Sequence, residues 1–355
     1  TGTGTGMGTS TGCLIAADLS AESEQFDVVL VDPKEYFEDV TSVPRACIDP
    51  GDKFDGPGDT ISSWSRAVCK YTDFVVKNGE LVTGALHGVR ASHIEVGAAR
   101  TVVPYDYLVL CTGSSYGSDI KCEGNASLTF RHQQMVAERD ALRSAEHVLI
   151  VGGGLVGCEV AGEVAEAFPG KRVTLVHAHD RLLKQIKGAH ELAYQTLETL
   201  GVKMHLGQRV QRNAASGAVA GGGGSFTTSK GARLEADKVI WCTGATPNTA
   251  YLRDPEATDP RFTRALDDRG FVKVDASMRV LGFDQVFCCG DILSPASRCA
   301  VFASISDGQG GGEVRPERTA SAASFSALVV SENIRRLHQG RSEAEVVRFD
   351  QRRVG

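Results

Sequence analysis

The chain has 355 residues, 42% hydrophobic and 23% charged, proportions that exclude wholesale disorder and suit two domains better than one core. No apolar run reaches the roughly 18 residues of a membrane-spanning helix, and a net charge of −6 argues against nucleic acid as a partner. The outlier is glycine, with 40 residues where a usage of ~7% predicts about 25.

Residues 1–6 are a Thr-Gly repeat with no initiator Met, standing where an apolar strand belongs. This end reads as part of a fragment, and no targeting signal is read from it. A helical pattern opens at Gly12-Cys13, and an apolar strand then ends at Asp32, twenty residues after Gly12. Further on, residues 106–113 read as a buried strand ending in a Cys-Thr-Gly turn.

The best-formed motif follows. Residues 148–151 are an apolar strand, Gly152, Gly154 and Gly157 make G-x-G-x-x-G, and a helix opens after Gly154. The first glycine permits a tight turn and the second lets a pyrophosphate approach the backbone. The third lets the helix pack on the sheet, with its N-terminal amides toward the phosphates. The next strand ends at His177, twenty residues after Gly157, so the chain carries two βαβ dinucleotide units in the same register. That register puts Met7, Thr9 and Gly12 at the fingerprint positions of the first unit, with Gly8 beside them. Residues 238–244 repeat the buried strand and its Cys-Thr-Gly turn, and a third such strand, 284–289, ends in Gly290-Asp291.

A carboxylate at the end of the second strand of such a unit hydrogen-bonds the adenosine ribose. Asp32 supplies it in the first unit. In the second the position is His177, followed by His179 and Arg181. With no carboxylate to repel a 2′-phosphate, NADPH is expected to be accepted as well as NADH, without a preference following. These histidines read equally well as loop residues, and their spacing predicts no metal. The ten cysteines show no C-x-x-C and no metal-ligand spacing. Cys111 and Cys242 read as small buried hydrophobes, and vicinal Cys288-Cys289 as strand packing. A reducing, cytoplasmic compartment suits this usage. Residues 214–225 and 294–314, rich in Gly and Ser, read as flexible loops or insertions without function. Residues 320–337 have apolar side chains at helical spacing.

The fold class is therefore α/β with two Rossmann-like domains. Two such units imply two electron carriers, one tightly held and one exchanging. On residues 30–37, 43–46, 152–163, 173–177, 241–248, 270–275 and Gly290-Asp291, the chain resembles the two-dinucleotide flavoproteins. Within them it is most similar to the ferroptosis-suppressor, or apoptosis-inducing-factor-like, NAD(P)H:quinone oxidoreductases. The resemblance covers residues 12 to about 340 and implies a discontinuous FAD domain, 1–117 and 260–355, enclosing an NAD(P)H domain, 118–259.

It also implies roles. Asp32 would hold the FAD ribose, Arg45 would reach the FAD, Val82 would meet the adenine through its backbone, and Asp291 would bind the ribitol. Gly8, Gly12, Gly113 and Gly290 would lie against FAD; Gly152, Gly154, Gly157, His177 and Gly244 against NADH or NADPH. Glu159 is the candidate catalytic residue, positioning nicotinamide or flavin, with a structural ion pair as its other reading. The implied acceptor is a quinone, which leaves peripheral contact with a lipid surface open. The family's C-terminal hairpin and helix at the quinone site are expected to be missing. A type II NADH dehydrogenase, another flavin reductase, or a flavin-less nucleotide-binding remnant are the alternatives. Thiol reduction is not expected, because only Cys47 follows the first unit where a redox pair would stand.

Overall fold

The computed structural model describes residues 11–48, 67–71, 78–117, 127–184, 186, 188–211, 222–295, 297 and 320–341. Gly8, with Met7 and Thr9, lies outside the described residues. The chain forms two compact units: one from 11–39, Cys69–Ser114 and 247–341, the other from 40–68 and Ser115–Thr246.

The second unit is built on a six-stranded sheet. Its order is Lys203–His205, Arg172–Val176, His147–Val151, Arg233–Trp241, Gly222–Thr228, Val210–Gln211. The first four strands run parallel and the last two are added antiparallel. His147–Val151 lies between two parallel neighbours, and its apolar run serves both faces: Val148 and Ile150 join one core, Leu149 and Val151 another. That two-sided burial is why the strand reads as continuously apolar rather than alternating. Lys238 on the Arg233–Trp241 strand reaches Glu138 of the Leu128–Ser144 helix at 2.6 Å, satisfying a largely buried cation.

Two boundaries differ from the sequence expectation. Residues 40–48 belong to the second unit rather than the first. The Val43–Ile48 helix buries most of its length and packs on the helices Leu128–Ser144 and Leu155–Ala167, and Ile48 enters the core of Leu142, Val160 and Val164. Residues 247–259 instead belong to the first unit. Leu252 packs with Val89 and Phe262, and the Thr258 hydroxyl accepts a hydrogen bond from the Val89 amide at 3.2 Å.

The glycine run within 214–225 is also corrected: Gly222–Thr228 is a strand. A Cβ on Gly223 would lie 2.5 Å from the carbonyl oxygens of both Ala236 and Asp237, so glycine here permits close backbone approach rather than flexibility. The start of the 294–314 segment is structural too. Ser294 is buried and donates to Asp267 Oδ2 at 2.6 Å, and Ser297 Oγ accepts from the Val274 amide at 3.0 Å. Most of the remainder lies outside the described residues.

The first unit has parallel pairs Val29–Asp32 with Glu80–Thr83 and Leu108–Leu110 with Val286–Cys288. A separate antiparallel meander consists of Leu86–Val89, His93–Val96 and Thr101–Pro104. The helix Thr11–Ser20 packs on the helix Ala320–His338, joined by Arg335 to Asp18 at 3.0 Å and to Glu22 at 2.6 Å. Ile15, Leu19, Leu110, Phe287, Val330 and Ile334 share one core, so distant parts of the chain close it. Among the described residues no helix is long and apolar enough to cross a membrane, and no cluster of His, Cys, Asp and Glu could hold a metal.

Candidate cofactor sites

In the second unit two of the three fingerprint glycines sit where only glycine fits. Gly152 has φ +118°, and a Cβ on it would fall 2.2 Å from the Cys242 carbonyl oxygen. Its amide donates to Val176 O at 2.8 Å, and the Cys242 amide donates to Val151 O at 2.8 Å, so both neighbouring strands grip the turn. A Cβ on Gly157 would lie 1.8 Å from the Gly152 carbonyl oxygen. Gly154 is different. It caps the helix Leu155–Ala167, no side chain bonds the helix start, the first turn carries no acid, and a Cβ there would meet nothing within 4 Å. Two glycines are therefore filled by protein, while the one at the helix N-terminus faces open space. This is the arrangement a pyrophosphate requires. Gly244, at φ +110°, is likewise open beyond its Cα.

His177 turns into this loop. Its Nδ1 accepts from the Gly153 amide at 2.9 Å. Burial and the neighbouring His179 ring, 5.3 Å away, hold its pKa below the ordinary value, against a hydrogen bond with the Arg181 backbone. The ring is thus neutral, with Nδ1 unprotonated. Leu183 closes the other side, its amide donating to Gly153 O at 3.0 Å. His177 therefore braces the glycine loop and brings no positive charge. Arg181 is the nearby cation, paired with Glu191 at 2.7 Å.

In the first unit, Asp32 and Asp291 both lie at C-terminal ends of parallel strands. Asp32 Oδ1 accepts from the Lys34 amide at 2.8 Å and Oδ2 from the Tyr71 hydroxyl at 2.9 Å. Burial raises its pKa, opposed by Lys34 and Tyr71. Each oxygen retains a further lone pair for a ribose hydroxyl. Asp291 Oδ2 accepts from Ser114 Oγ at 2.6 Å, and Ser114 is buried. Gly290 has φ +78°, and a Cβ on it would press within 2.7 Å of Thr11 Oγ1. A Cβ on Gly12 would lie 3.4 Å from Cys111 Cβ, so the Thr11–Ser20 helix starts directly on the Leu108–Leu110 strand end, with no acid in its first turn. The first Cys-Thr-Gly turn is braced by Asn248, which donates to Thr112 O at 3.0 Å and, through its amide, to Gly113 O at 3.0 Å.

The other predicted residues fall as follows. Val82 pairs with Val31 in the parallel ladder. Arg45 lies in the second unit, not the first, and meets Glu163 at 2.5 Å. Glu159 is exposed on the Leu155–Ala167 helix, one turn before Glu163. Three side-chain roles were not foreseen: Tyr71 on Asp32, Ser114 on Asp291, and His177 on Gly153. Ser114 had a signal, because the repeated turn reads Cys-Thr-Gly-Ser in the first unit and Cys-Thr-Gly-Ala245 in the second.

Two nucleotide cradles, each at the carboxyl ends of parallel strands, define a doubly equipped α/β nucleotide-binding protein. The chain belongs to the pyridine nucleotide-disulphide oxidoreductase family, whose model matches residues 8–324. Apoptosis-inducing factor homolog A of Dictyostelium discoideum is 25% identical over 288 residues, 75% of this chain and 65% of that protein. Ferroptosis suppressor protein 1 of Mus musculus is 25% identical over 202 residues, 53% of this chain and 49% of that protein. The chain thus spans about half to two-thirds of the length of these curated relatives. The structure of NDH2 from Plasmodium falciparum in complex with NADH shares the fold, with TM-score 0.67 at 15% identity over 95% of this chain and 83% of that one. Family membership gives the cofactors as FAD and NAD(P)H. The acid-free helix starts and the strand-end carboxylates fit dinucleotides of this kind.

Proposed function

We propose that the chain is an FAD-dependent oxidoreductase that oxidises NADH or NADPH and reduces a quinone-type acceptor. The observation that supports this best is the presence, in one chain, of two separate nucleotide cradles, one with strand-end carboxylates and one without. The similarity to a ferroptosis suppressor protein favours a quinone as acceptor.

In this reading the first unit is the FAD domain. Asp32, steadied by Tyr71, takes the ribose hydroxyls, and Asp291, steadied by Ser114, takes the ribitol. Gly12, Gly113 and Gly290 allow the backbone to approach, and Val82 meets the adenine. The second unit is the NAD(P)H domain. Gly152, Gly154, Gly157 and Gly244 cradle the pyrophosphate under the helix N-terminus, and His177 keeps the loop in shape. Glu159 positions the nicotinamide. Arg45, through Glu163, holds the helix that carries Glu159. Bound FAD supplies the ring that takes electrons in pairs from the nicotinamide. The chain itself needs no nucleophile: it binds, orients and excludes water. A quinone is lipid-soluble, so the working place is a membrane surface.

The test is purification, FAD reconstitution and turnover with NADH or NADPH and a short-tailed quinone, following both nucleotide loss and quinol formation. Absence of bound flavin after reconstitution would leave the nucleotide-binding remnant as the better reading. Nucleotide oxidation that is independent of every quinone offered would move the assignment to another flavin reductase.

A further inference from the structure

We propose that Cys111 and Cys289 form a peroxide-sensitive dithiol that closes to a disulfide within the first unit. Their Sγ atoms are 3.3 Å apart, although the residues are separated by 178 positions in the chain. The Leu108–Leu110 and Val286–Cys288 strands run parallel with Leu110 opposite Cys288, and the Cys289 amide donates to Leu110 O at 3.2 Å. Cys111 and Cys289 are therefore the next rung. Neighbouring strands lie ~4.8 Å apart, inside the Cα separation of about 4.4–6.8 Å that a disulfide spans. Closing the pair requires the sulfurs to approach by about 1.3 Å, a side-chain rotation rather than a backbone movement.

The two thiols are not equivalent. Cys289 is fully buried, and burial pushes its thiol well above the ordinary range. Cys111 is half-buried, at the edge of the core under the start of the Thr11–Ser20 helix. Cys111 thus meets a small hydroperoxide first. The Cys111 thiol gives up its proton as its sulfur attacks one peroxide oxygen; the O–O bond breaks, the sulfur becomes the sulfenic acid, and the other oxygen takes that proton and leaves as water. The Cys289 thiol then attacks that sulfur, the S–S bond forms, and the second water leaves. Two thiols lose two hydrogens and two electrons, and hydrogen peroxide accepts them as two waters. Cys288 is adjacent in sequence but alternates to the opposite face of its strand.

The position gives the bond a consequence. Cys111 leads into Thr112-Gly113 and Cys289 into Gly290-Asp291, so the disulfide ties together the two turns that carry a proposed cofactor contact each. Neither the pair nor its closure depends on the acceptor or nucleotide proposed above.

The experiment treats the folded, full chain with hydrogen peroxide, quenches with catalase, and then denatures and alkylates with N-ethylmaleimide before peptide mapping. The expected result is a Cys111–Cys289 linked peptide and an intact mass lower by two hydrogens, both reversed by dithiothreitol. The linked peptide should survive Cys288→Ser and vanish in Cys111→Ser and Cys289→Ser. Mapping of the unsubstituted protein decides the matter alone if a serine variant does not fold. Both cysteines recovered alkylated after peroxide would overturn the proposal. So would Cys111 carried on to the sulfinic acid beside an unreacted Cys289, or a disulfide confined to any other pair.

Discussion

Acidification should weaken the second unit's hold on its nucleotide through one side chain, His177. At neutral pH its Nδ1 lone pair accepts the Gly153 amide at 2.9 Å. Protonation replaces that lone pair with a hydrogen, so two donors then face each other across the same gap. Of the groups around the ring, His179, 5.3 Å away, adds to the effect, while the hydrogen bond with the Arg181 backbone opposes it. Losing one such bond costs about 0.5–1.5 kcal/mol, which corresponds to a roughly two- to tenfold weaker Kd for the pyrophosphate-bearing ligand.

The stability sign runs the same way. Burial lowers the folded pKa of His177, and also those of His147 and His205 in the same unit, below the ordinary value of 6.5. Between the folded and ordinary values the unfolded chain binds more protons. Stability is therefore full above about pH 6.5 and is lost as pH falls from there toward the folded pKa values. Calorimetric titration with NAD+ at about pH 7.5 and about pH 5.5 measures the binding effect. His177→Asn, whose Oδ1 can take the place of Nδ1 but does not titrate, should flatten the pH dependence. If His177→Asn keeps the same dependence as the natural protein, His177 does not brace the loop.

Two glycines of one motif should separate. Gly157→Ala sets a methyl 1.8 Å from the Gly152 carbonyl oxygen and should lower stability by about 1–3 kcal/mol or more, read as a drop in Tm with or without nucleotide. Gly154→Ala meets no protein atom, so Tm of the nucleotide-free protein should hold while NAD+ affinity falls. Ser114→Ala removes the 2.6 Å bond to Asp291. A hydrogen bond to a charged group is worth about 1.5–3 kcal/mol, so flavin should be lost on gel filtration where the natural protein retains it. Equal flavin retention would show that Asp291 needs no brace.

What could be read from the sequence was what is local. The apolar strand 148–151, its glycines and the following helix form one continuous stretch, and the same chemistry fixes each position. The Cys-Thr-Gly turns and Gly290-Asp291 were legible as repeats for the same reason. What could not be read depends on distant partners. Val43–Ile48 is a six-residue helix whose apolar face would suit either core, and only packing on Leu128–Ser144 and Leu155–Ala167 assigns it. Tyr71 is 39 residues from Asp32, and no spacing rule connects a tyrosine to a carboxylate. The glycines of 222–224 have the composition of a loop, but a strand is defined by its neighbour, and the Arg233–Trp241 backbone makes them one. Cys111 and Cys289 meet because two parallel strands share a register that is set by neither cysteine.

The first unit's core joins Ile15 and Leu19 to Val330 and Ile334, with the second unit's residues lying between them in the chain. On the ribosome the second unit's six-stranded sheet has all its strands once Trp241 has emerged. The Thr11–Ser20 helix, made before that sheet, must wait for the Ala320–His338 helix, made after it, with its apolar side uncovered meanwhile. Birth order and folding order are thus reversed for the two units. The nascent chain passes through a stage in which the second unit's sheet is complete and the first unit still lacks the helix that covers Ile15 and Leu19.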